Sequence, residues 1–247
     1  MENLPVAKIS IVLVATSHPG NIGASARAMK TMGLENLALV TPKHYPNAEV
    51  TARAAGADDI LARAELFPTL EAAVRECGLV IGTSARPRNI PWPVLTPAEA
   101  AQEVVSAARR QERVAILFGR ENSGLSNEEL ELCHSVIHIP TNPEYSSLNL
   151  AAAVQIICYE LRKLMLEPLQ HPPGDQASTP PANMEQMRQF YEQLPACLLD
   201  IGYYDPEKPR LLMRRLKRLF NRARLDINEY NILRGVLRTI QERLGRS

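Results

Sequence analysis

The first residues that could do chemistry lie in the segment SHPGNIGASARAMKTMG (17–33), which follows an apolar run typical of a strand. A glycine-containing turn that opens a helix presents free backbone N–H groups, which suit an anion. Asn21 and Arg27 are the side chains here that could orient and contact a substrate. Six residues apart on a helix, they do not share one face well unless Asn21 lies at or before the cap. The alternative is that Asn21 only caps the helix and that Arg27 is a solvated charge.

A second polar cluster, GRENSGLSNEEL (119–130), follows another apolar run. Ligands of open α/β sheets bind at the carboxyl ends of the strands, which is where Gly119, Arg120 and Glu121 would lie. Gly119 also permits a close approach of backbone. The alternative is an ordinary loop that carries a surface ion pair between Arg120 and Glu121.

The third cluster, IPTNPEYSSLNLAAAVQ (139–155), leads into the most apolar helical pattern of the chain. Ser146, Ser147 and Asn149 crowd together just before that helix. A helix cap needs one such residue rather than three. The additional hydroxyl and amide groups therefore indicate a binding role.

Two further stretches have the composition of nucleic-acid contacts. The segment TSARPRNIPWPVLTP (83–97) carries Arg86, Arg88 and Trp92, and arginine beside an exposed aromatic ring binds single strands by charge and stacking. Packing of Trp92 onto the domain is the simpler interpretation of that side chain. Residues 208–224 carry eight basic and no acidic groups. The segment has an apolar helical face formed by Leu212, Leu216, Leu219 and Phe220.

Charge is distributed unevenly between two parts of the chain. The 247 residues carry a formal net charge of +1, yet from Met184 onward there are 13 basic and 8 acidic residues, a net of +5. The preceding part is then −4. A solvated face is the usual explanation of a basic run, but eight uncompensated charges favour binding to phosphates.

The elements that must position these clusters are visible in the hydrophobic pattern. Near-continuous apolar runs predict strands that are covered on both faces of a parallel sheet, at 8–16, 36–40, 79–83, 113–119 and 135–140. Helical patterns alternate with them and predict an α/β domain over residues 1–166. Residues 167–183 contain five prolines and read as a linker, and residues 184–247 as a helical extension. The helices expected in that extension are 184–200, 210–223 and 227–244.

Several functional classes receive little support. The four cysteines are scattered and lie in apolar contexts, which predicts buried, reduced thiols. His134 and His138 would be roughly 13 Å apart along a strand, too far to share a metal. No secretory or membrane-spanning pattern is present, so we expect a cytoplasmic protein without a membrane role. The glycines at 20 and 23 do not form the fingerprint of a dinucleotide-binding oxidoreductase.

Three of these clusters resemble, in order, the three motifs of the SPOUT superfamily of knotted methyltransferases, of the TrmH type. The motif-like stretches are HPGNIGASARAMKTMGL, LFGRENSGLSNEEL and IPTNPEYSSLNLAAAVQ, and the likeness covers essentially all of residues 8–166. Within the superfamily the sequence is most similar to bacterial tRNA (cytidine/uridine-2′-O-)-methyltransferases that act on nucleotide 32 of the anticodon loop. The stretch TSARPRNIPWP and the basic helical extension are similar to those enzymes too.

The resemblance implies a fold, a cofactor and partners. The fold would be α/β, a SPOUT fold with a parallel sheet, a C-terminal deep trefoil knot and a small helical C-terminal extension. The cofactor would be S-adenosyl-L-methionine, the substrate tRNA, and the assembly a homodimer whose interface builds the active site. No metal is implied.

The resemblance also implies three sets of residues. The cofactor set is Thr83, Ser84, Ala85, Gly119, Ile139, Ser146, Ser147 and Leu148. The catalytic set is Asn21, Arg27, Glu121, Ser147 and Asn149. The residues expected to bind tRNA are Arg86, Arg88, Tyr145, Arg214, Arg215, Lys217 and Arg218.

The reaction implied is attack of a ribose 2′-hydroxyl on the methyl group of the cofactor's sulfonium. Because a guanidinium stays protonated in proteins, Arg27 is expected to hold a phosphate and stabilise the developing alkoxide rather than to act as the base. Two alternatives remain open: a SPOUT methyltransferase of another tRNA or rRNA nucleotide, and a non-catalytic RNA-binding module. Asn21 and Arg27, together with Ser147 and Asn149, favour the ribose over a base nitrogen. The glycine segment that begins at Ser17 then belongs to the RNA side of the site.

Overall fold

Two units make up the chain, residues 1–172 and 173–247, in a computed structural model that describes residues 5–85, 92–167, 179–207, 209 and 211–245. The first unit is built on a sheet and the second on helices. Each unit has its own core of buried apolar side chains.

Within the described residues, seven strands form one parallel sheet in the first unit. They are β1 (Ile9–Val14), β2 (Asn36–Val40), β3 (Glu65–Phe67), β4 (Leu79–Thr83), β5 (Val94–Leu95), β6 (Val114–Phe118) and β7 (Ser135–Ile137). Their order across the sheet is β3-β2-β1-β6-β4-β7-β5. The central strands are buried on both faces, which explains their continuous apolar runs.

All five predicted strands are present, and the sheet has two more at its edges. β7 ends at Ile137, three residues earlier than predicted. β3 and β5 were missed because neither contains a buried run: Leu66 is 57% exposed and Val94 is 64% exposed. Short, exposed strands are common at sheet edges, where they limit pairing with other chains. The trefoil knot stays a prediction, because the order of the strands does not define how the chain is threaded.

Helices connect the strands of the first unit, after a short 3₁₀ helix at Pro5–Lys8. They are α1 (Pro19–Met32), α2 (Ala48–Ala54), α3 (Asp58–Ala62), α4 (Leu70–Val74), α5 (Pro97–Arg109), α6 (Asn127–Leu130) and α7 (Leu150–Leu166). α1 starts with proline and ends at Gly33, whose φ of 75° gives the left-handed C-cap that glycine favours. α7 begins at Leu150, because Asn149 is its N-cap.

The second unit contains α8 (Met184–Asp200), α9 (Leu212–Ala223) and α10 (Ile227–Arg243), close to the predicted helices. Phe190, Tyr230 and Leu237 are buried in its core. Its folded part begins before Met184, since the backbone of residues 180–182 pairs with that of residues 225–227. Part of the segment expected to be a linker therefore belongs to this unit.

All four cysteines are buried and none is in a disulfide, as predicted. Burial raises the pKa of the Cys77 and Cys158 thiols to about 12, so both are neutral at physiological pH. In the described part of the chain, no three or more potential ligands cluster to hold a metal ion. No helix among the described residues is long and apolar enough to cross a bilayer.

Candidate functional site

A cavity of about 170 Å³ opens at the carboxyl ends of three neighbouring strands, β6, β4 and β7. Carboxyl ends of parallel strands meet at one edge of a sheet, so segments that are distant in sequence converge there. All eight residues of the predicted cofactor set line this cavity: Thr83, Ser84, Ala85, Gly119, Ile139, Ser146, Ser147 and Leu148.

The wall of the cavity is mainly apolar with a few polar groups. Phe118, Ile137 and Leu150 contribute apolar surface, and Thr141 adds a hydroxyl to those of the predicted serines. This combination is typical of sites that hold a small organic ligand with a flat apolar part and a few polar groups.

Hydrogen bonds tie the segments of the wall to one another. The Ser84 N–H donates to the carbonyl of Ile137 at 3.0 Å, and the Thr83 hydroxyl donates to the carbonyl of Leu117 at 2.9 Å. The ring nitrogen Nδ1 of His138 lies 3.2 Å from the carbonyl oxygen of Ser84. The cavity is therefore bounded by segments whose positions are fixed by the sheet.

The loop after β6 closes on itself beneath the cavity. A Cβ on Gly119 would lie 2.1 Å from the carbonyl carbon of Gly124, so no side chain fits at this position. The backbones of Arg120 and Gly124 exchange two hydrogen bonds, of 3.2 and 2.8 Å. The close approach that Gly119 permits is to its own loop.

The alternative of a surface ion pair between Arg120 and Glu121 is wrong. Arg120 instead donates two hydrogen bonds, of 2.9 and 3.0 Å, to the carboxylate of Glu129. The same carboxylate accepts the backbone N–H of Ser126 at 2.6 Å, within the predicted capping box of α6. Its bond to Glu129 raises the pKa of Arg120. Arg120 thus stabilises the loop and is not a free cation.

Glu121 is the acceptor at the centre of the site. Its carboxylate accepts the backbone N–H of Ser17 (3.1 Å), the hydroxyl of Ser17 (2.9 Å), the backbone N–H of His18 (3.1 Å) and Nδ2 of Asn21 (3.0 Å). Partial burial raises the pKa of Glu121, but these hydrogen bonds outweigh it and lower the pKa to about 2. Glu121 is therefore ionised at neutral pH and is too weak a base to remove a proton from a hydroxyl.

Asn21 and Asn149 extend the network to the start of α7. Nδ2 of Asn149 donates to Oδ1 of Asn21 at 2.9 Å, while Oδ1 of Asn149 accepts the N–H groups of Ala151 (2.9 Å) and Ala152 (3.3 Å). Because each amide oxygen and nitrogen has a defined partner, the orientation of both amides is fixed. One chain of hydrogen bonds joins the three motif segments.

The glycine-containing turn expected to open this helix does not include the GNIG segment (20–23). The segment is the first part of α1, and the N-cap is His18 rather than Asn21. Gly23 is buried where α1 crosses α2: a Cβ there would lie 2.0 Å from the carbonyl oxygen of Val50. Close helix packing, rather than a ligand, requires glycine at position 23.

Arg27 lies apart from the cavity of its own chain. It is exposed on α1, and its side chain makes no hydrogen bond or ion pair with any residue that the structure describes. Six residues beyond Asn21, it projects about 120° away around the helix and about 9 Å further along it. The structure brings Asn21, Glu121 and Asn149 together beside Ser147 and leaves Arg27 separate.

The residues expected to bind tRNA are placed as follows. Arg86 and Arg88 lie outside the described residues. Tyr145 comes directly before the cavity residues Ser146 and Ser147, and its side chain is 81% exposed. The remaining four are on α9: Arg214, Arg215, Lys217 and Arg218.

The structure decides two interpretations of these stretches: which residues form the apolar face of α9, and what Trp92 does. Leu216 and Phe220 pack against the core of the second unit, but Leu219 is 45% exposed and does not belong to that face. Trp92 is partly buried and its Nε1 donates to the carbonyl of Cys133 at 3.2 Å. The simpler interpretation of Trp92, packing onto the domain, is confirmed.

Sequence reasoning missed the roles of Ser17 and Glu129. Ser17 gives two of the four hydrogen bonds to Glu121, yet nothing in the local sequence distinguishes it from other loop serines. Glu129 was visible as part of a capping box, but its contact with Arg120 depends on how the loop closes.

Comparison with known proteins places this site in a family. The sequence model of the SpoU rRNA Methylase family matches residues 8–159, which include the whole cavity wall. The chain belongs to the SpoU methylase family. The model described as tRNA methyltransferase TrmJ, C-terminal domain, matches residues 185–247. The predicted resemblance is therefore confirmed for both parts of the chain.

Related proteins align with nearly the whole length of this chain. The tRNA (cytidine/uridine/adenosine-2′-O-)-methyltransferase TrmJ of Pseudomonas aeruginosa is 48% identical over 242 residues, covering 95% of this chain and 94% of that protein. The tRNA (cytidine/uridine-2′-O-)-methyltransferase TrmJ of Sodalis glossinidius is 49% identical, covering 94% and 91%. The crystal structure of TrmJ from Z. mobilis has a TM-score of 0.80 at 37% identity and covers 94% and 98%. These matches confirm the predicted α/β SPOUT methyltransferase fold.

Proposed function

We propose that the protein is an S-adenosyl-L-methionine-dependent tRNA 2′-O-methyltransferase that modifies the ribose of nucleotide 32 in the anticodon loop. The observation that carries the proposal is the convergence of the whole predicted cofactor set on one cavity, directly beside the Asn21–Glu121–Asn149 network. Relatives that are named tRNA 2′-O-methyltransferases, and that match both units, support tRNA as the substrate.

The residues present fit the proposed cofactor. Ile139 and Leu148 offer apolar surface to a flat ring, and Ser146 and Ser147 offer hydroxyls to its polar groups. When bound, S-adenosyl-L-methionine supplies an electrophilic methyl group. In the reaction the ribose 2′-oxygen bonds to that methyl carbon, the bond from the methyl carbon to sulfur breaks and leaves a neutral thioether, and the hydroxyl proton is released.

The protein contributes position and charge stabilisation. Glu121 acts as a positioning residue: its four accepted hydrogen bonds hold the start of α1 against the cavity wall. Asn149 is held beside Ser147 by the same network. Arg27, exposed and permanently charged, is available to hold an RNA phosphate and to stabilise negative charge on the 2′-oxygen.

A homodimer is part of the proposal. Arg27 does not line the cavity of its own chain, so it reaches the reacting atoms if the active site is built from two subunits. In that arrangement Arg27 of the partner subunit faces the cavity described above. The deep knot implied by the family resemblance would shape the same cavity loops.

The test is methyl transfer to defined RNA. Purified protein is incubated with labelled S-adenosyl-L-methionine and unmodified tRNA transcripts, and the product is digested and sequenced by mass spectrometry. The proposal predicts one 2′-O-methyl group, at nucleotide 32. Methylation of another tRNA position, or of ribosomal RNA in a parallel reaction, would favour a SPOUT methyltransferase of another nucleotide. Binding of tRNA without binding of the cofactor, measured by calorimetry, would favour a non-catalytic module.

A further inference from the structure

Three exposed cations, on α1, on α2 and in the loop before α2, have no partner for their charge among the described residues. The side chains of Arg27, Lys43 and Arg53 make no ion pair or hydrogen bond with any residue in the described ranges. By contrast, the exposed cations Lys30 and Arg63 of the same unit are paired with carboxylates. The charges of Arg27, Lys43 and Arg53 are therefore not compensated by the described residues, unlike those of Lys30 and Arg63.

Arg27 and Arg53 lie close together where α1 packs against α2, and the surface along this contact is called the groove below. Cβ atoms placed on Gly20 and Gly23 would lie 3.4 Å from Cγ and 3.0 Å from Cβ of Arg53, respectively. Gly20, Gly23 and Arg27 are spaced i, i+3 and i+7 and so form one stripe of α1. Because Cβ atoms four residues apart on a helix are about 5–6 Å from each other, those of Arg27 and Arg53 are within roughly 9 Å.

Lys43 is held beside the segment that leads into the candidate site. Its backbone N–H donates to the carbonyl of Thr16 at 3.0 Å. The residue after Thr16, Ser17, donates two hydrogen bonds to Glu121. Lys43 is thus hydrogen-bonded to the segment that connects β1 with the Asn21–Glu121–Asn149 network.

The acidic neighbour of the groove does not neutralise it. Glu49 is one helical turn before Arg53 on α2, and its Oε1 is close to Gly20, but no ion pair joins it to Arg53. His18 and His44 are the other exposed titratable side chains on the adjoining segments. The two nearby guanidinium groups repel one another, and a polyanion that lies along the groove relieves that repulsion.

We propose that Arg53 and Lys43, together with Arg27, form a phosphate-binding groove between α1 and α2 that holds the tRNA backbone next to the target ribose. The inference rests on the proposed function for the identity of the RNA. It adds to the catalytic unit an RNA-binding surface that is separate from the basic helix α9.

The experiment compares tRNA binding and methyl transfer for full-length variants. Arg53→Gln and Lys43→Gln remove one charge each, and glutamine at position 53 keeps the Cβ and Cγ atoms that lie next to α1. Arg53→Lys keeps the charge. Arg63→Gln is the matched control, because Arg63 is an exposed arginine of the same unit that is already paired with Glu35 and Asp59.

Each glutamine variant is expected to weaken tRNA binding about three- to fivefold, the value of an exposed ion pair. The slope of log affinity against log salt should fall by about 0.7–0.9 for each phosphate that the variant no longer neutralises. We expect the KM for tRNA to rise while kcat and the Kd for the cofactor change little. Arg53→Lys and Arg63→Gln should bind tRNA like the parent.

Equal affinity and equal salt slope for the parent, Arg53→Gln, Lys43→Gln and Arg63→Gln would overturn the groove, whether or not the parent methylates tRNA. A parent that binds tRNA but transfers no methyl group refutes the proposed function only, since the binding comparison still decides the groove. A parent that binds no tRNA overturns both.

Discussion

Replacement of Glu121 by glutamine tests whether this carboxylate positions the site. The carboxylate accepts four hydrogen bonds, from Ser17 (two), His18 and Asn21, over 2.9–3.1 Å. A glutamine amide has one acceptor oxygen and points an NH₂ group at two of these donors. Glu121→Gln therefore leaves donors of the start of α1 without an acceptor and loosens the contact between α1 and the cavity loop.

The size of the effect follows from the pKa of Glu121. Folding lowers this pKa from the ordinary 4.5 to about 2. At about 1.4 kcal/mol for each pKa unit, the full effect would be near 3 kcal/mol. The carboxylate is only partly buried, so water screens the interaction, and we expect a loss of about 1–2 kcal/mol in the free energy of unfolding at pH 7.

The pH dependence has a defined sign. Because the pKa of Glu121 is lower in the folded state, its contribution is complete above about pH 4.5 and is lost as the pH falls towards 2. The difference in unfolding free energy between the parent and Glu121→Gln should therefore shrink to less than half between pH 7 and pH 3. Urea unfolding followed by the fluorescence of Trp92, the single tryptophan, reports on the first unit.

A matched control removes a carboxylate from the opposite end of β6. Glu76→Gln breaks an exposed ion pair with Arg113, at 2.6 Å, and should change the unfolding free energy by less than about 1 kcal/mol. If Glu121→Gln unfolds like the parent at both pH values and yet loses methyl transfer, Glu121 acts in the chemistry and the positioning role is refuted.

Three further predictions concern the same site and the second unit. Arg27→Ala should abolish methyl transfer in a radiolabel assay while the calorimetric Kd for S-adenosyl-L-methionine changes less than twofold. Glu129→Gln disrupts the ion pair with Arg120 that stabilises the cavity loop. It should weaken cofactor binding about tenfold, a loss of about 1.4 kcal/mol, whereas Glu76→Gln should not. Deletion of residues 184–247 should leave cofactor binding intact and strongly reduce tRNA methylation, as measured in the same two assays.

Each of these predictions has a contradicting result. Loss of cofactor binding in Arg27→Ala would place Arg27 at the cofactor rather than at the RNA. Unchanged cofactor affinity in Glu129→Gln would show that the loop after β6 keeps its shape without the Arg120–Glu129 ion pair. Full methylation by residues 1–183 would show that the second unit is not needed to bind tRNA.

The strands were predictable where both of their faces are buried, because such strands are continuous runs of apolar residues. β1, β2, β4 and β6 are covered on both faces, so their apolar runs identified them. β3 and β5 were not predictable, because short edge strands are held by pairing with a neighbour rather than by burial. The bounds of α8 match the predicted 184–200, since the helix begins where the proline-rich segment ends, with Asn183 as its N-cap.

The site was predictable as three clusters but not as one network. The cluster residues ended at strand carboxyl ends, and parallel pairing then forced them together. The local sequence could not show that Glu121 binds Ser17 or that Arg120 binds Glu129, because both contacts join separate segments. The role of Gly23 was missed for the same reason: its partner is the backbone of α2.

The most direct test of the central claim is the position of the methyl group in cellular tRNA. Ribose methylation is mapped by mass spectrometry in tRNA from a strain that lacks the gene, from its parent, and from the deletion strain complemented with the gene or with Arg27→Ala. We predict that the 2′-O-methyl group at nucleotide 32 disappears in the deletion strain and returns with the intact gene but not with Arg27→Ala. Unchanged methylation at nucleotide 32 in the deletion strain would contradict the proposed function.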